Sequence, residues 1–272
     1  MMVTGRGRVG RAALWLAAGI TFAFLVAPIL AILPLSFSSG SFLSYPLPGF
    51  SLRWYEKFFA SERWMLALGN SLIVGVASTI AATVLGTLAA LGLSRRHFPW
   101  RALAMGVILA PMIVPTIILA VGMYFVFAPL RLNSTYIGLV LAHTALAVPF
   151  VVVTVDATLA GFDVNLMRAA ASLGATPLTV FFRVVLPLIL PGIVSGALFA
   201  FVVSFDEAVM ALFIAGPNQT TLPRQMFNDL RESIDPTLVA VAMVLIVVSA
   251  GAMALIEALR RRVERMRALR QA

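Results

Sequence analysis

The chain of 272 residues is 61% hydrophobic and only 11% charged, with a mean hydropathy of +1.01. Soluble globular domains carry about 25% charged residues, so this composition excludes an ordinary soluble enzyme or binding module and marks an integral membrane protein. The absence of cysteine excludes disulfides and thiol chemistry, and the net charge of +9 must be located along the chain before it is read as a nucleic-acid footprint.

In chain order, six uncharged runs reach the length of about 20 apolar residues needed to cross the hydrocarbon core. They cover residues 12–52, 64–94, 102–130, 132–155, 184–205 and 236–256. The first follows Arg6, Arg8 and Arg11 and is too long for the apolar core of a cleavable signal, so it predicts a membrane helix. Its tail, SFSSGSFLSYPLPGF, is rich in turn residues and ends that helix near Leu35. The fifth run continues past two acids to Pro223. The fold class expected is all-α, a polytopic membrane protein with six transmembrane helices.

With the N-terminus in the cytoplasm, the inner segments hold fourteen arginines: Arg6, Arg8, Arg11, Arg95, Arg96, Arg101, Arg168, Arg183 and six from Arg260 to Arg270. The outer segments hold six cations, Arg53, Lys57, Arg63, Arg131, Arg224 and Arg231. This asymmetry is a positive-inside signature that places both termini in the cytoplasm. It accounts for the basic balance without nucleic acid.

The inner loop between the fourth and fifth runs reads AGFDVNLMRAAASLGATPLTVFFRVVLPLILPGI. Asp163 suits the cap of a short helix over 165–173, built from good helix formers. Gly174 falls where a helix end needs a left-handed residue, and Thr176 with Pro177 supplies the cap and first turn of a second helix. Leu178, Phe181, Phe182 and Val185 predict an apolar stripe on that helix.

The stretch AAASLGATPLTVFFRVVLP resembles the signature loop of ABC-importer permeases. Ala169, Ala170 and Gly174 stand at the alanine and glycine places of that pattern, and Val184, Leu186 and Pro187 at its I-x-L-P ending. Arg168 stands where the family usually has glutamate. LAPMIVPTIILAVGM, LGLSRRHFPWRAL and IGLVLAHTALAVPFVVV also look like such permeases, and SFDE…GP…TLP is most similar to the polyamine (spermidine/putrescine) subgroup.

The resemblance implies a type I ABC importer permease fold: a single transmembrane permease domain over 1–272, with a family-like core at about 66–257 and a cytoplasmic coupling loop at about 161–186. It implies an inner-membrane, multi-pass subunit in contact with membrane lipid and paired with a second homologous permease. Two copies of an ATP-binding ABC subunit would dock on the loop that carries Arg168, Ala169, Ala170, Gly174 and Pro187. An extracytoplasmic solute-binding protein would deliver the cargo. ATP and magnesium would bind the partner ATPase, so this chain needs no cofactor of its own and is not an enzyme. The residues agree: there is no G-x-x-x-x-G-K-[ST] loop, nucleophile–base pair or metal-ligand cluster in the sequence.

The stretch FVVSFDEAVMALFIAG, residues 201–216, sets Asp206 and Glu207 side by side in an apolar run. Each ionised acid at bilayer depth costs roughly 2.5 kcal/mol or more on insertion scales, and such acids usually face a protein interior or a water-filled path. Adjacent residues on a helix point about 100° apart, so the two acids cannot face one direction. Asp206 would then share a stripe with Val202, Met210 and Phe213, and Glu207 with Val203, Ala211 and Ile214. The expectation is that at least one acid lines the path of a cationic solute in the outer half of the span. Phe205 and Tyr124 would add cation–π attraction; the alternative is that the acids only join helices. His143 is expected to be a helix-packing hydrogen bonder, and Asp156 to be solvated or paired with an arginine. Two other functions stay open: an ABC permease for another small solute (an amino acid derivative, an opine, a metal chelate), and an ion-coupled secondary transporter. The latter class shows inverted repeats and broken helices, and no internal symmetry is evident in this sequence.

Overall fold

Helix α1, Thr4–Leu35, ends where its turn-rich tail predicts. The computed structural model describes the backbone of residues 4–94, 98–232 and 235–271. Arg95 and Arg96, counted above on the inner side, lie outside the described residues, as do the side chains of Arg6, Arg8, Arg260, Arg262, Arg265, Arg267 and Arg270. Among the described residues the elements are helical, with one isolated backbone bridge between Ser38 and Phe50. The chain divides into two units, Met1–Ser61 with Asp229–Val244, and Glu62–Asn228 with Leu245–Ala272.

The first unit contains α1, α2 (Arg53–Ala60) and the start of α12 (Thr237–Gln271). The apolar stretch Leu14–Leu35 of α1 is long enough to span a bilayer. Its side chains, Trp15, Phe22 and Phe24 among them, are exposed, as suits a helix solvated by lipid or by another subunit. Trp54 and Phe58 are the buried face of α2. Trp54 Nε1 donates to the Ser38 carbonyl at 2.8 Å, and the Tyr55 hydroxyl bonds Ser36 Oγ at 2.9 Å. Lys57 pairs with Asp235 at the approach to α12. Burial pushes the Asp235 carboxyl up, but the Lys57 ammonium and hydrogen bonds from Thr237 outweigh it and hold the group below its ordinary range.

The second unit is built on three mutually packed helices, α3 (Glu62–Leu93), α6 (Tyr136–Ala160) and α9 (Leu186–Phe205). Helices in lipid have no hydrophobic drive toward each other, so close approach through small residues is what holds them. Gly192, Gly196, Ala200 and Ser204 fall four apart on α9, and all four are buried. A Cβ on Gly196 would stand 2.5 Å from Thr154 Oγ1 and 2.9 Å from Val151 Cα; one on Gly192 would stand 2.2 Å from Thr158 Oγ1. A Cβ on Gly86 of α3 would stand 2.6 Å from Cβ of the same Val151. Farther along, fully buried His143 of α6 bonds Ser204 through Nδ1, at 2.9 Å to Oγ and 3.1 Å to the carbonyl oxygen. It is a helix-packing hydrogen bonder, as expected from sequence.

The third apolar run differs from expectation. It is not one straight span but two helices, α4 (Arg101–Ile113) and α5 (Thr116–Phe127), meeting at 107°. Pro115 is the cause: it has no N–H to continue the ladder and drives Val114 into an extended conformation, φ −71° and ψ 132°. The membrane-length helices are therefore Leu14–Leu35, Glu62–Leu93, Tyr136–Ala160, Pro177–Phe205 and Thr237–Leu255, with the bent pair as a sixth crossing if it counts as one. Arg101 Nη2 donates to both oxygens of Asp156, at 3.0 and 3.1 Å, tying α4 to the end of α6. That is the arginine pairing anticipated for Asp156.

Candidate functional site

Two places in the second unit hold the residues singled out above. One is the loop between α6 and α9. Asp163 Oδ1 accepts from the Asn165 amide at 2.9 Å and opens α7, Asn165–Ser172. The helix closes at Gly174, whose φ is +83°. The Ala175 amide reaches back to the Ala170 carbonyl at 3.1 Å and the Gly174 amide to the Ala171 carbonyl at 2.9 Å. This paired closure is the Schellman motif, which requires a left-handed residue and therefore favours glycine. Thr176 Oγ1 then accepts from the Thr179 amide at 3.3 Å, and Pro177 leads α8, Pro177–Val180.

Between α8 and α9, Phe181–Val185 form one π-helical turn, with the Leu186 amide bonding the Phe181 carbonyl five residues back. Pro187, half-buried in the first turn of α9, has no N–H for the ordinary α-helical bond. Of the apolar stripe predicted there, Val185 is buried and Phe181 half-buried, whereas Leu178 and Phe182 are exposed; Val180, outside the stripe, is buried. Arg168 and Ala169 are exposed, and Ala170 packs against the core. Leu173 is 89% exposed at the tip. Beneath the loop lies a cleft of about 1180 Å³, lined by Phe98, Arg101, Phe162, Arg168 and Phe181 among others.

The other place is the pair of acids. The helix does not run through them. α9 ends at Phe205, and α10, Val209–Ile214, begins only after a break at 206–208. Glu207 Oε1 accepts from the Val209 amide at 2.6 Å and the Met210 amide at 3.1 Å, so its carboxylate satisfies two amides at the start of α10. The two continuous stripes expected from sequence do not exist. Met210 is fully buried with Ala120, Ala211 and Ile214 between α5, α6 and α10, and does not accompany Asp206. Asp206 is exposed, and its carboxylate has no hydrogen bond or ion pair among the described residues. Phe205 is buried and stacked on Phe201 with ring centroids 5.3 Å apart, which removes its face from any passing cation. Tyr124 is exposed on α5, edge-on to Phe125 at 5.8 Å. No ring contact joins Tyr124 to Phe205 among the described residues.

Sequence reasoning missed Asn70. This buried residue of α3 donates through Nδ2 to the Asn218 and Thr220 carbonyls, both at 2.9 Å, while its Oδ1 accepts from the Tyr136 hydroxyl at 2.7 Å. Next to it, Ser71 Oγ accepts from the Leu222 amide at 2.7 Å. Arg224 of α11 (Leu222–Glu232) donates to the Ala215 and Gly216 carbonyls at 2.5 and 3.2 Å, just past the end of α10. These bonds fix the chain that follows the acids. The signal was a lone asparagine in an apolar run, costly in lipid unless it holds another segment.

Residues 82–265 match the model of a family described as the binding-protein-dependent transport system inner membrane component. The chain belongs to this family. Among curated relatives, this inner-membrane component is 32% identical over 228 residues to the spermidine/putrescine transport system permease protein PotC of Escherichia coli (strain K12), covering 84% of this chain and 86% of that one. It is 35% identical over 229 residues to the putrescine transport system permease protein PotI of the same organism, covering 81% of each. Among solved structures it is similar to a bacterial ABC transporter involved in the import of the acidic polysaccharide alginate, with a TM-score of 0.74 at 16% identity over 94% of this chain and 96% of that one. That similarity is one of fold: a type I ABC importer permease.

Proposed function

We propose that this permease subunit carries polyamine-like cations, of the spermidine and putrescine class, across the inner membrane in an ATP-driven importer. The observation that carries the reading is the Asp206 carboxylate, exposed at a helix break in an apolar stretch with no cation among the described residues paired to it. A diammonium or triammonium solute supplies the missing positive charge and leaves again, because it is not covalently held. The names of two relatives, each matched over four-fifths or more of this chain, support the same class of cargo.

In this reading a second homologous permease completes the pathway, and an extracytoplasmic solute-binding protein loads it. Two ATP-binding subunits, which hold the ATP and magnesium, dock on the α7–α8 loop. The arginine asymmetry supports an inner location for that loop and for both termini. The chain contributes no hydrolytic chemistry; it converts movement of its partners into access for the solute. The test is reconstitution in vesicles with the ATPase and the binding protein. Spermidine or putrescine should raise ATP hydrolysis, whereas a neutral disaccharide or a zwitterionic amino acid should not. Stimulation by the latter alone would refute the cationic cargo.

The loop carries a separate expectation. A Cβ built on Gly174 meets no atom within 4 Å, yet its φ of +83° is unfavourable for any residue with a Cβ. Gly174→Val should cost about 1–3 kcal/mol of local strain and reorient Leu173 and Thr176. The variant is expected to reach the membrane in normal amount while substrate no longer stimulates ATP hydrolysis. Normal stimulation in Gly174→Val would show that the helix–glycine–helix geometry is not what couples the subunits.

A further inference from the structure

The connection between α1 and α2 covers residues 36–52. From residue 12 to residue 52 the chain carries no charge, although it leaves the helix at Leu35. The connection is not an extended linker. The Ser39 amide bonds the Gly49 carbonyl at 2.9 Å and the Ser51 amide the Phe37 carbonyl at 2.7 Å, closing the segment at its base as a compact loop. The bonds from Trp54 and Tyr55 of α2 pin that base. What the loop presents outward is aromatic and apolar: Phe42 and Phe50 are each 79% exposed and Tyr45 is 58% exposed, with Leu43 and Leu52 beside them.

Tyr45 fixes the level of this surface. Its hydroxyl donates to the carbonyl of Ala31, inside α1 and four residues before its end. At 1.5 Å per residue, that point lies about 6 Å back along the helix from Leu35. The apolar stretch Leu14–Leu35 has 22 residues, so it is about 33 Å long against a hydrocarbon core of about 30 Å. The loop therefore folds back beside the helix to the depth where hydrocarbon gives way to headgroups. Tyrosine rings with one wet end and one apolar face favour that depth. Charge returns only at Arg53, where α2 begins.

We propose that the 39–50 loop is a membrane anchor: its aromatic tip sits in the interfacial layer of the lipid at the C-terminal end of α1. The occupant of this exposed surface is phospholipid. An uncharged aromatic loop continuous with a spanning helix, and bonded back onto it, fits lipid better than it fits water. The anchor fixes the depth of the C-terminal end of α1, whereas Arg6, Arg8 and Arg11 mark only the opposite end of that helix.

The cysteine-free chain makes the test direct. A single cysteine at Phe42→Cys or Phe50→Cys carries an environment-sensitive fluorophore; Asn218→Cys, exposed on another loop, is the reference. Each full-length variant is placed in phosphatidylethanolamine/phosphatidylglycerol nanodiscs containing lipid with a spin-label quencher near the top of its acyl chain. Labels at Phe42 and Phe50 should emit to the blue of the Asn218 label and be quenched several-fold more strongly. Water-like emission with quenching equal to the reference would overturn the proposal. So would a blue shift that appears only after the solute-binding protein is added, which would make the loop a protein-docking surface. Both phenylalanines project from the surface, so neither substitution disturbs the packed helices.

Discussion

Asp206→Asn is expected to lower polyamine uptake about tenfold, equivalent to roughly 1.4 kcal/mol of lost attraction for the cation, while assembly and basal ATP hydrolysis stay close to the parental values. The amide keeps the size of the side chain and removes only its charge. Glu207→Gln should behave differently. Glu207 Oε1 accepts from the Val209 and Met210 amides, and a glutamine oxygen can accept the same two bonds. Glu207→Gln should therefore retain most uptake, whereas Glu207→Ala should cost about 1 kcal/mol of stability through the lost cap. Radiolabelled putrescine uptake into vesicles containing the whole transporter reads the contrast. Equal uptake by Asp206→Asn and the parent would sink the assignment of Asp206 to the solute path. An equal fall for both neutral variants would mean that the charge of Glu207, and not that of Asp206 alone, serves the solute.

Gly196→Val is expected to disrupt the fold. The first added carbon already lies 2.9 Å from Val151 Cα, a backbone atom that cannot rotate away, and 2.5 Å from Thr154 Oγ1. Even Gly196→Ala forces α6 and α9 apart, at a cost of about 2 kcal/mol and a fall of about 4–8 °C in the unfolding midpoint for a chain of this size. The valine variant should fail to accumulate as folded protein. Thermal unfolding in detergent, followed by tryptophan fluorescence, measures the alanine variant. An unchanged midpoint in Gly196→Ala would show that the two helices do not rely on this approach. Gly106, in contrast, has open space around it, and Gly106→Ala on α4 should leave the midpoint within a degree or two or raise it slightly, since alanine is the better helix former.

Much of the molecule was legible because its causes are local. Run length marks the helices that can cross the bilayer, since desolvated backbone leaves few other solutions. The turn-rich tail ends α1 at Leu35. Gly174 and the Thr176–Pro177 pair were readable because backbone chirality and the missing proline amide act within a residue or two. Family resemblance in the same loop agreed with the family match over residues 82–265.

What the sequence could not determine depended on partners distant along the chain or on a break in periodicity. Stripes through Asp206 and Glu207 assumed an unbroken helix; a capping carboxylate and two segments docked on different neighbours ended it. The run over residues 102–130 was read as one span because its length and lack of charge say nothing of the 107° turn at Pro115. The π turn at Phe181–Val185 departs from the fixed helical period on which the predicted stripe was drawn. Asn70 found its partners about 150 residues away, at Asn218 and Thr220, and Gly196 met Val151 across the α6–α9 contact. By itself the sequence determined which segments are helical and apolar. Only the tertiary structure decided which carboxylate is consumed by the fold and which is left free, because hydrogen bonding depends on atoms within about 3 Å of one another and not on their separation along the chain.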